Sequence, residues 1–431
     1  MRDLVLTLIV AGILPFALMH TWIAVILWTW LSVMNPHTLA YGFAYDAPFA
    51  AVAAAAALIS LFVTKDKVGM TFTSPVITLM AFVGWMCVTT ALAIHPDLSW
   101  PDLVRTLKIQ LMTLVSIAAL RERKHIHWFV AVNALSIGFY GLKGGLFTVA
   151  TGGSSRVWGP PGGFIEGNNE IGLAIVLIIP LLNYMRMYTA NALAKLGVGV
   201  AMVLCAAAVL GTQSRGAFLA ISVMGLVMWF RSPKKLPSAI IIGAVALVAL
   251  AFMPASWEER MTSIKTYDQD ASAMGRINAW WMAFNLANDK FSGGGFHIYT
   301  FEIFARYAPD PLDLHAAHSI YFMALGEHGY LGLFLFVLLG VLAFFQASKI
   351  RKMTKGIEDE RWLFDLAGMC QVSLIGFAVG GAFLSLTYFD LPYNIVVILV
   401  CGLRWAQERR SGVPARPPPA VRKPAAAPAL K

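Results

Sequence analysis

The sequence predicts an all-α polytopic membrane protein of about 12 transmembrane helices, with one large, partly helical external loop. Three observations carry that prediction. Of 431 residues, 58% are hydrophobic and 13% are charged, where a soluble domain carries about 25% charge. Mean hydropathy is +0.69. Apolar stretches long enough to cross a bilayer recur from Leu4 to Leu403. A soluble chain of this length could not cover its surface with so few polar groups. A water-soluble enzyme, a disulfide-rich secreted module and a disordered tail protein are therefore excluded. The net charge of +10 is no nucleic-acid footprint, because the cations sit at helix ends and in one tail.

Expected spans cover residues 4–34, 47–63, 75–94, 103–120, 127–150, 171–188, 195–211, 216–230, 237–253, 319–346, 362–386 and 391–405. The first is long and is interrupted by Pro15 and His20, so it is one broken, tilted helix or two short ones. Residues 1–253 thus hold nine spans with short loops, 254–318 form an external cap and 319–405 hold three more spans. Residues 406–431 form a basic Pro/Ala-rich tail that reads as disordered.

Orientation follows from Lys and Arg in short loops, which stay cytoplasmic. Lys65 and Lys67 mark one such loop, Arg121, Arg123 and Lys124 the next. Arg186 with Lys195, then Arg231, Lys234 and Lys235, then Lys349 to Arg361 continue the series. Their alternation with poor loops places both termini in the cytoplasm. Two spans before residue 35 would instead put the N-terminus outside. Cys87, Cys205, Cys370 and Cys401 lie in apolar runs without metal-ligand spacing and read as buried free thiols. Trp22, Trp28 and Trp30 read as an interfacial belt.

Polar groups at membrane depth are costly and need a reason. Arg105, Lys108, Lys143, Arg156, Arg215 and Arg276 oppose the orientation rule by falling at or near the external face. Together they point to an outward-opening anion site, and the planar Arg fork suits a diphosphate-bearing lipid. Arg215 lies in the short turn Gly211-Thr212-Gln213-Ser214-Arg215-Gly216-Ala217, either as a phosphate clamp or as a helix-end cation. Arg276 follows Gly275 at the start of a helix near residues 275–290, where a solvated charge is the structural alternative. His315 and His318, in His315-Ala316-Ala317-His318-Ser319-Ile320-Tyr321, stand before a long span at a spacing that permits one helical face. Histidine titrates near neutrality and can take a proton from a hydroxyl. A hydrogen-bonded interfacial histidine is the alternative, and no Glu sits between the pair as in a zinc HExxH site. Glu327 and His328 read as structural. Arg156, Glu166, Asn168 and Asn169 in the Gly/Pro-rich loop 151–170 offer polar groups to sugar hydroxyls, unless the loop is only a connector. Lys143 either neutralises a lipid phosphate or snorkels.

With these residues in place, the chain resembles the O-antigen ligase and polymerase superfamily over roughly residues 1–405. The resemblance rests on Gln213-Ser214-Arg215-Gly216-Ala217, on Gly275-Arg276 in the long external loop, and on His318-Ser319-Ile320-Tyr321 followed by Gly326-Glu327-His328-Gly329. Met34-Asn35-Pro36-His37, Gly141-Leu142-Lys143-Gly144-Gly145 and Arg156-Val157-Trp158-Gly159-Pro160-Pro161 look like the ligase subgroup found beside exosortase systems. The resemblance implies a GT-C-like glycosyltransferase with a periplasmic active site, inverting and metal-independent, with no cofactor. The implied donor is a glycan on undecaprenyl diphosphate and the implied acceptor is lipid A–core, in lipopolysaccharide biosynthesis. Membrane lipids are the other partners, and nucleic acid is not one. Carried over by position, His318 is the general base, and Arg215 and Arg276 hold the diphosphate. Arg156, Lys143 and His315 are further candidates for substrate contact. A polymerase or a protein O-oligosaccharyltransferase would use the same donor. A transporter of an anion or a lipid-linked glycan is the reading from another class, against which stands the lack of an internal repeat.

Overall fold

A computed structural model describes residues 1–64, 66, 69–232, 234–240, 243, 247 and 271–411. Lys65 and Lys67, most of the expected span 237–253, the first part of the cap and the tail from residue 412 lie outside the described residues. Every regular element among those described is helical. Among the described residues, seven helices are long and apolar enough to cross a membrane, and Thr21–Met34 and Phe49–Val63 are shorter apolar helices.

The first expected span is two helices, α1 (Arg2–Met19) and α2 (Thr21–Met34). Pro15 is absorbed inside α1, and the chain breaks at His20, whose backbone is extended. The pair folds back as a hairpin. Arg2 donates to the Leu39 carbonyl, and Asp3 accepts from the amides of Gly42 and Ala44. At the hairpin's other end, Thr21 meets Asp66 and Thr64. That end is also the end of Arg404, which donates to the carbonyls of Gly69 and Ile117. The first residues of the chain and Arg404 therefore lie at opposite ends of the bundle. This is the arrangement of the two-helix alternative for residues 4–34, in which the hairpin adds one crossing. Trp28 is buried, and the half-buried Trp22 stacks on His125 at 4.6 Å between ring centroids.

The remaining helices are α3 (Phe49–Val63), α4 (Ser74–Ala91), α5 (Pro96–Ala119), α6 (Arg123–Ala150), α7 (Asn168–Tyr188), α8 (Ala192–Gly211) and α9 (Arg215–Arg231). After the cap come α10 (Ala271–Asp289), α11 (Phe301–Tyr307), α12 (Ile320–Thr354), α13 (Arg361–Gly381) and α14 (Asp390–Arg410). The last helix runs past residue 405, because Arg410 is held by the Met353 carbonyl and by Glu360 at 2.9 Å. Helix α7 is buried on every side from Ile171 to Leu182, as expected for a helix apolar all round. It packs against α6, α8, α9 and α13. Helices α6 and α8 meet along small residues. A Cβ on Gly141 would stand 2.4 Å from the Cys205 sulfur, and one on Gly145 would stand 2.1 Å from the Leu204 carbonyl oxygen. Close backbone approach through glycine is the usual device for helix contact in lipid. Cys205, Cys370 and Cys401 are buried, whereas Cys87 is exposed on the outer side of α4.

The expected continuous span 319–346 is broken. Gly329 has φ +66° inside α12, a left-handed backbone that favours glycine. The break frees carbonyls one turn earlier, and the turn 292–295 supplies their donors. Gly294 donates to the Gly326 carbonyl at 2.8 Å and Gly295 to the Glu327 carbonyl at 2.9 Å. Gly293 and Gly295 have φ of +69° and +81°, which explains the run of glycines there. The cap is thus clasped to α12 through backbone.

Candidate functional site

The candidate residues collect at the end of the bundle opposite the basic loops. The turn between α8 and α9 shows why its sequence is Thr212-Gln213-Ser214-Arg215-Gly216. Thr212 closes α8 through a bond from its amide to the Ala208 carbonyl, 2.9 Å. Gln213 turns the chain with φ +53°. Ser214 caps α9 by accepting from the Ala217 amide at 3.2 Å. Arg215 is then the first residue of α9. Gly216 lets Phe383 and Leu384 approach, since a Cβ there would lie 3.1 Å from that of Phe383.

The loop before α7 is tied to this turn. Val157 donates to the Gly211 carbonyl at 3.0 Å. The Gln213 side chain donates to the Gly153 carbonyl at 3.0 Å and accepts from Arg156 Nε at 3.4 Å. Asn168 donates to the Thr212 carbonyl at 2.8 Å, and Glu166 accepts from the Gly162 amide at 2.9 Å. Glu166 and Asn168, expected as groups for sugar hydroxyls, each also hold the loop in place. Arg105 stacks over the Phe164 ring at 3.9 Å, so it too reaches this end. Lys143 is exposed on α6, within the glycine segment that packs on α8, and the structure does not join it to the turn.

His318 and His315 both precede α12 on non-helical chain, so they share no helical face, contrary to the spacing argument. His315 is bound to Asp313 on its own loop, Nδ1 to Oδ1 2.6 Å. Its ring lies on the backbone of α10, where a Cβ on Gly275 would stand 2.3 Å from Nδ1. Only glycine fits there, which accounts for the residue before Arg276. One turn along α10, Trp280 donates to the Ala317 carbonyl at 2.7 Å and stacks on Phe322 with centroids 4.9 Å apart. Asn278 donates to the carbonyls of Asp310 and Asp313. Helix α10 thereby fixes the segment that presents His318.

His318 itself has φ +42°, a conformation uncommon for a residue with a side chain and often retained at functional positions. Its Nδ1 lies 3.6 Å from Oε1 of Glu170, at the start of α7. Sequence reasoning missed Glu170. The available signal was an acid in the first turn of a helix that opens at the external face. Arg215, Arg276 and His318 thus sit on three segments joined by these contacts: α9 to α7 through Thr212 and Asn168, α7 to the His318 loop through Glu170, and that loop to α10 through Trp280.

Below the site lies a buried polar cluster at the break in α12. The Tyr388 hydroxyl donates to Glu327 and lies 2.8 Å from His328 Nε2. Thr89 lies 2.7 Å from His328 Nδ1, and Trp85 donates to the His328 carbonyl. Burial, and then the Glu327 carboxylate, push the Tyr388 phenol well above its ordinary value, so it stays a donor. Glu327 and His328 are thus both buried and hydrogen-bonded at the break. A polar cavity of 260 Å³ at the far end of α10 is lined by Asp289, Lys290, Glu302 and Arg306. Asp289 accepts from Arg306 at 3.0 Å and from Tyr307, and Lys290 donates to the Leu92 carbonyl. Burial and that bond push the Tyr307 hydroxyl up to about 12.

Two family models match the chain. Residues 1–190 match a family of unknown function. Residues 200–337 match a family described as O-antigen ligase. No curated protein matches it. The second match spans the turn with Arg215, the helix with Arg276 and the left-handed His318, and over those residues the chain is similar to the O-antigen ligase family.

Proposed function

We propose that this protein is a glycosyltransferase of the bacterial inner membrane that moves a glycan from undecaprenyl diphosphate to a sugar hydroxyl of lipid A–core. The observation that carries the reading is His318, held left-handed at one mouth, with Arg215 and Arg276 on the two segments tied to it. The orientation rule puts the basic end of the bundle in the cytoplasm and this mouth in the periplasm. His318 takes the proton of the acceptor hydroxyl. The hydroxyl oxygen bonds to the anomeric carbon as the bond from that carbon to the diphosphate oxygen breaks, with inversion. The electron pair passes to the diphosphate, which Arg215 and Arg276 hold through paired N–H donors. The leaving group needs charge stabilisation more than a proton, so one base and two guanidiniums suffice for the step. An apolar cleft of 280 Å³ between α12, α13 and α14 begins at Ile320 and Tyr321, beside the proposed base. It suits the polyprenyl chain of such a donor.

The test is transfer by purified protein in detergent, with undecaprenyl-diphosphate-linked glycan and lipid A–core, comparing wild type with His318→Ala. Product from wild type alone supports the ligase and its base. Equal product from both removes His318 from the step. Product only when the acceptor is a second lipid-linked glycan or a Ser/Thr peptide replaces lipid A–core in the reading.

A further inference from the structure

We infer that Glu170 is the positioning residue for His318: its carboxylate holds the Nδ1 proton so that Nε2 faces the acceptor with its lone pair free. The inference rests on the assignment of His318 as base. A neutral imidazole carries one proton, and a base is useful only if that proton is on the nitrogen turned away from the substrate. In this site Nδ1 is the nitrogen turned toward protein. It is shut off from water, has no partner at hydrogen-bonding distance among the described residues, and has Glu170 Oε1 at 3.6 Å. Such contacts are commonly loose without substrate and tighten when it binds.

The surroundings favour the pairing. The Glu170 side chain is 13% exposed and that of His318 is 32% exposed, so the acid lies inward of the imidazole and leaves the ring's other edge toward the mouth. Glu170 can take this pose because residue 167 is glycine: a Cβ there would stand 2.0 Å from Glu170 Oε2. The ring is held from the other side by its backbone, since Trp280 fixes the Ala317 carbonyl and α12 starts at Ile320. His315 has a separate acid, Asp313, on its own exposed loop. The two histidines are thus provided for differently, and only His318 draws its partner from the bundle.

An acid in the first turn of a helix also has an ordinary use, favourable placement near the N-terminal amides. Glutamine serves at that position nearly as well but offers His318 an NH2 group as readily as an oxygen, so it does not fix the tautomer. The experiment therefore compares wild type, Glu170→Gln, Glu170→Asp and His318→Ala as full-length protein in detergent, with kcat and KM for the lipid-linked donor and the thermal midpoint of each. We expect Glu170→Gln to keep its midpoint and its KM within about twofold while kcat falls by about tenfold or more. Glu170→Asp, which keeps the charge, should recover part of kcat. Wild-type kcat in Glu170→Gln, with His318→Ala inactive, overturns the role of Glu170 and leaves the base standing. A fall in midpoint that matches the loss of activity in both Glu170 variants also overturns it, in favour of a helix-end role. Wild-type kcat in His318→Ala overturns the base and this inference with it.

Discussion

Gly293 and Gly329 face each other with no room for a side chain on either. A Cβ on Gly293 would stand 2.6 Å from the Gly329 amide nitrogen, and one on Gly329 would stand 1.9 Å from the Phe291 carbonyl oxygen. Both have left-handed backbones. Gly329→Ala should therefore lower stability by at least about 2 kcal/mol, through backbone strain and steric overlap together. Gly340, on the same helix with nothing within 4 Å of its Cβ position, is the control: Gly340→Ala should be neutral or stabilising. Thermal midpoints in one detergent decide the matter, and equal midpoints for the two variants would sink the account of the break.

The proposed diphosphate clamp predicts a difference between two cations. Lys at 215 or 276 keeps the charge but loses the planar fork. Arg215→Lys and Arg276→Lys should each reduce kcat/KM for the lipid-linked donor by about tenfold to hundredfold. Unchanged kcat/KM in both variants would remove the clamp.

Because the step as proposed uses side chains alone, EDTA should leave turnover unchanged. A loss restored by a divalent ion would overturn that part of the mechanism.

The α1–α2 hairpin predicts that the two ends of the chain are reached from different sides of the membrane. In intact spheroplasts, an N-terminal epitope should be accessible to added antibody and a C-terminal one should not. Accessibility of neither, with both reached after lysis, would restore the single first span.

Much of this was legible in the chain. Span positions followed from apolar length, since lipid leaves a backbone few options. The turn 211–217 stood out because an arginine and three polar residues interrupt two apolar runs, and it became a helix end, a left-handed residue, a cap and a first helical residue in that order. What stayed hidden depends on partners distant in sequence. Nothing local shows that Glu170 meets His318, that Asn168 reaches Thr212, or that Gly141 and Gly145 make room for Cys205 and Leu204. The break at Gly329 was invisible because its compensation lies some 35 residues earlier, in Gly294 and Gly295. The first hairpin was left open for a similar reason: α2 has only 14 residues, fewer than the roughly 20 by which a crossing is recognised.

The clasp between the turn 292–295 and α12 also limits how the mouth can open. Pulling the two apart would strand the carbonyls of Gly326 and Glu327 and the amides of Gly294 and Gly295, each at a cost of a few kcal/mol away from water. Helix α10 is thereby anchored at its middle, by Trp280 to Ala317, and just past its last residue, by the glycines to α12. This part of the cap is a fixed wall rather than a door. The glycan of the proposed reaction would enter around it, and the shape of that wall, set by backbone rather than by adaptable side chains, becomes a gauge for what can reach His318.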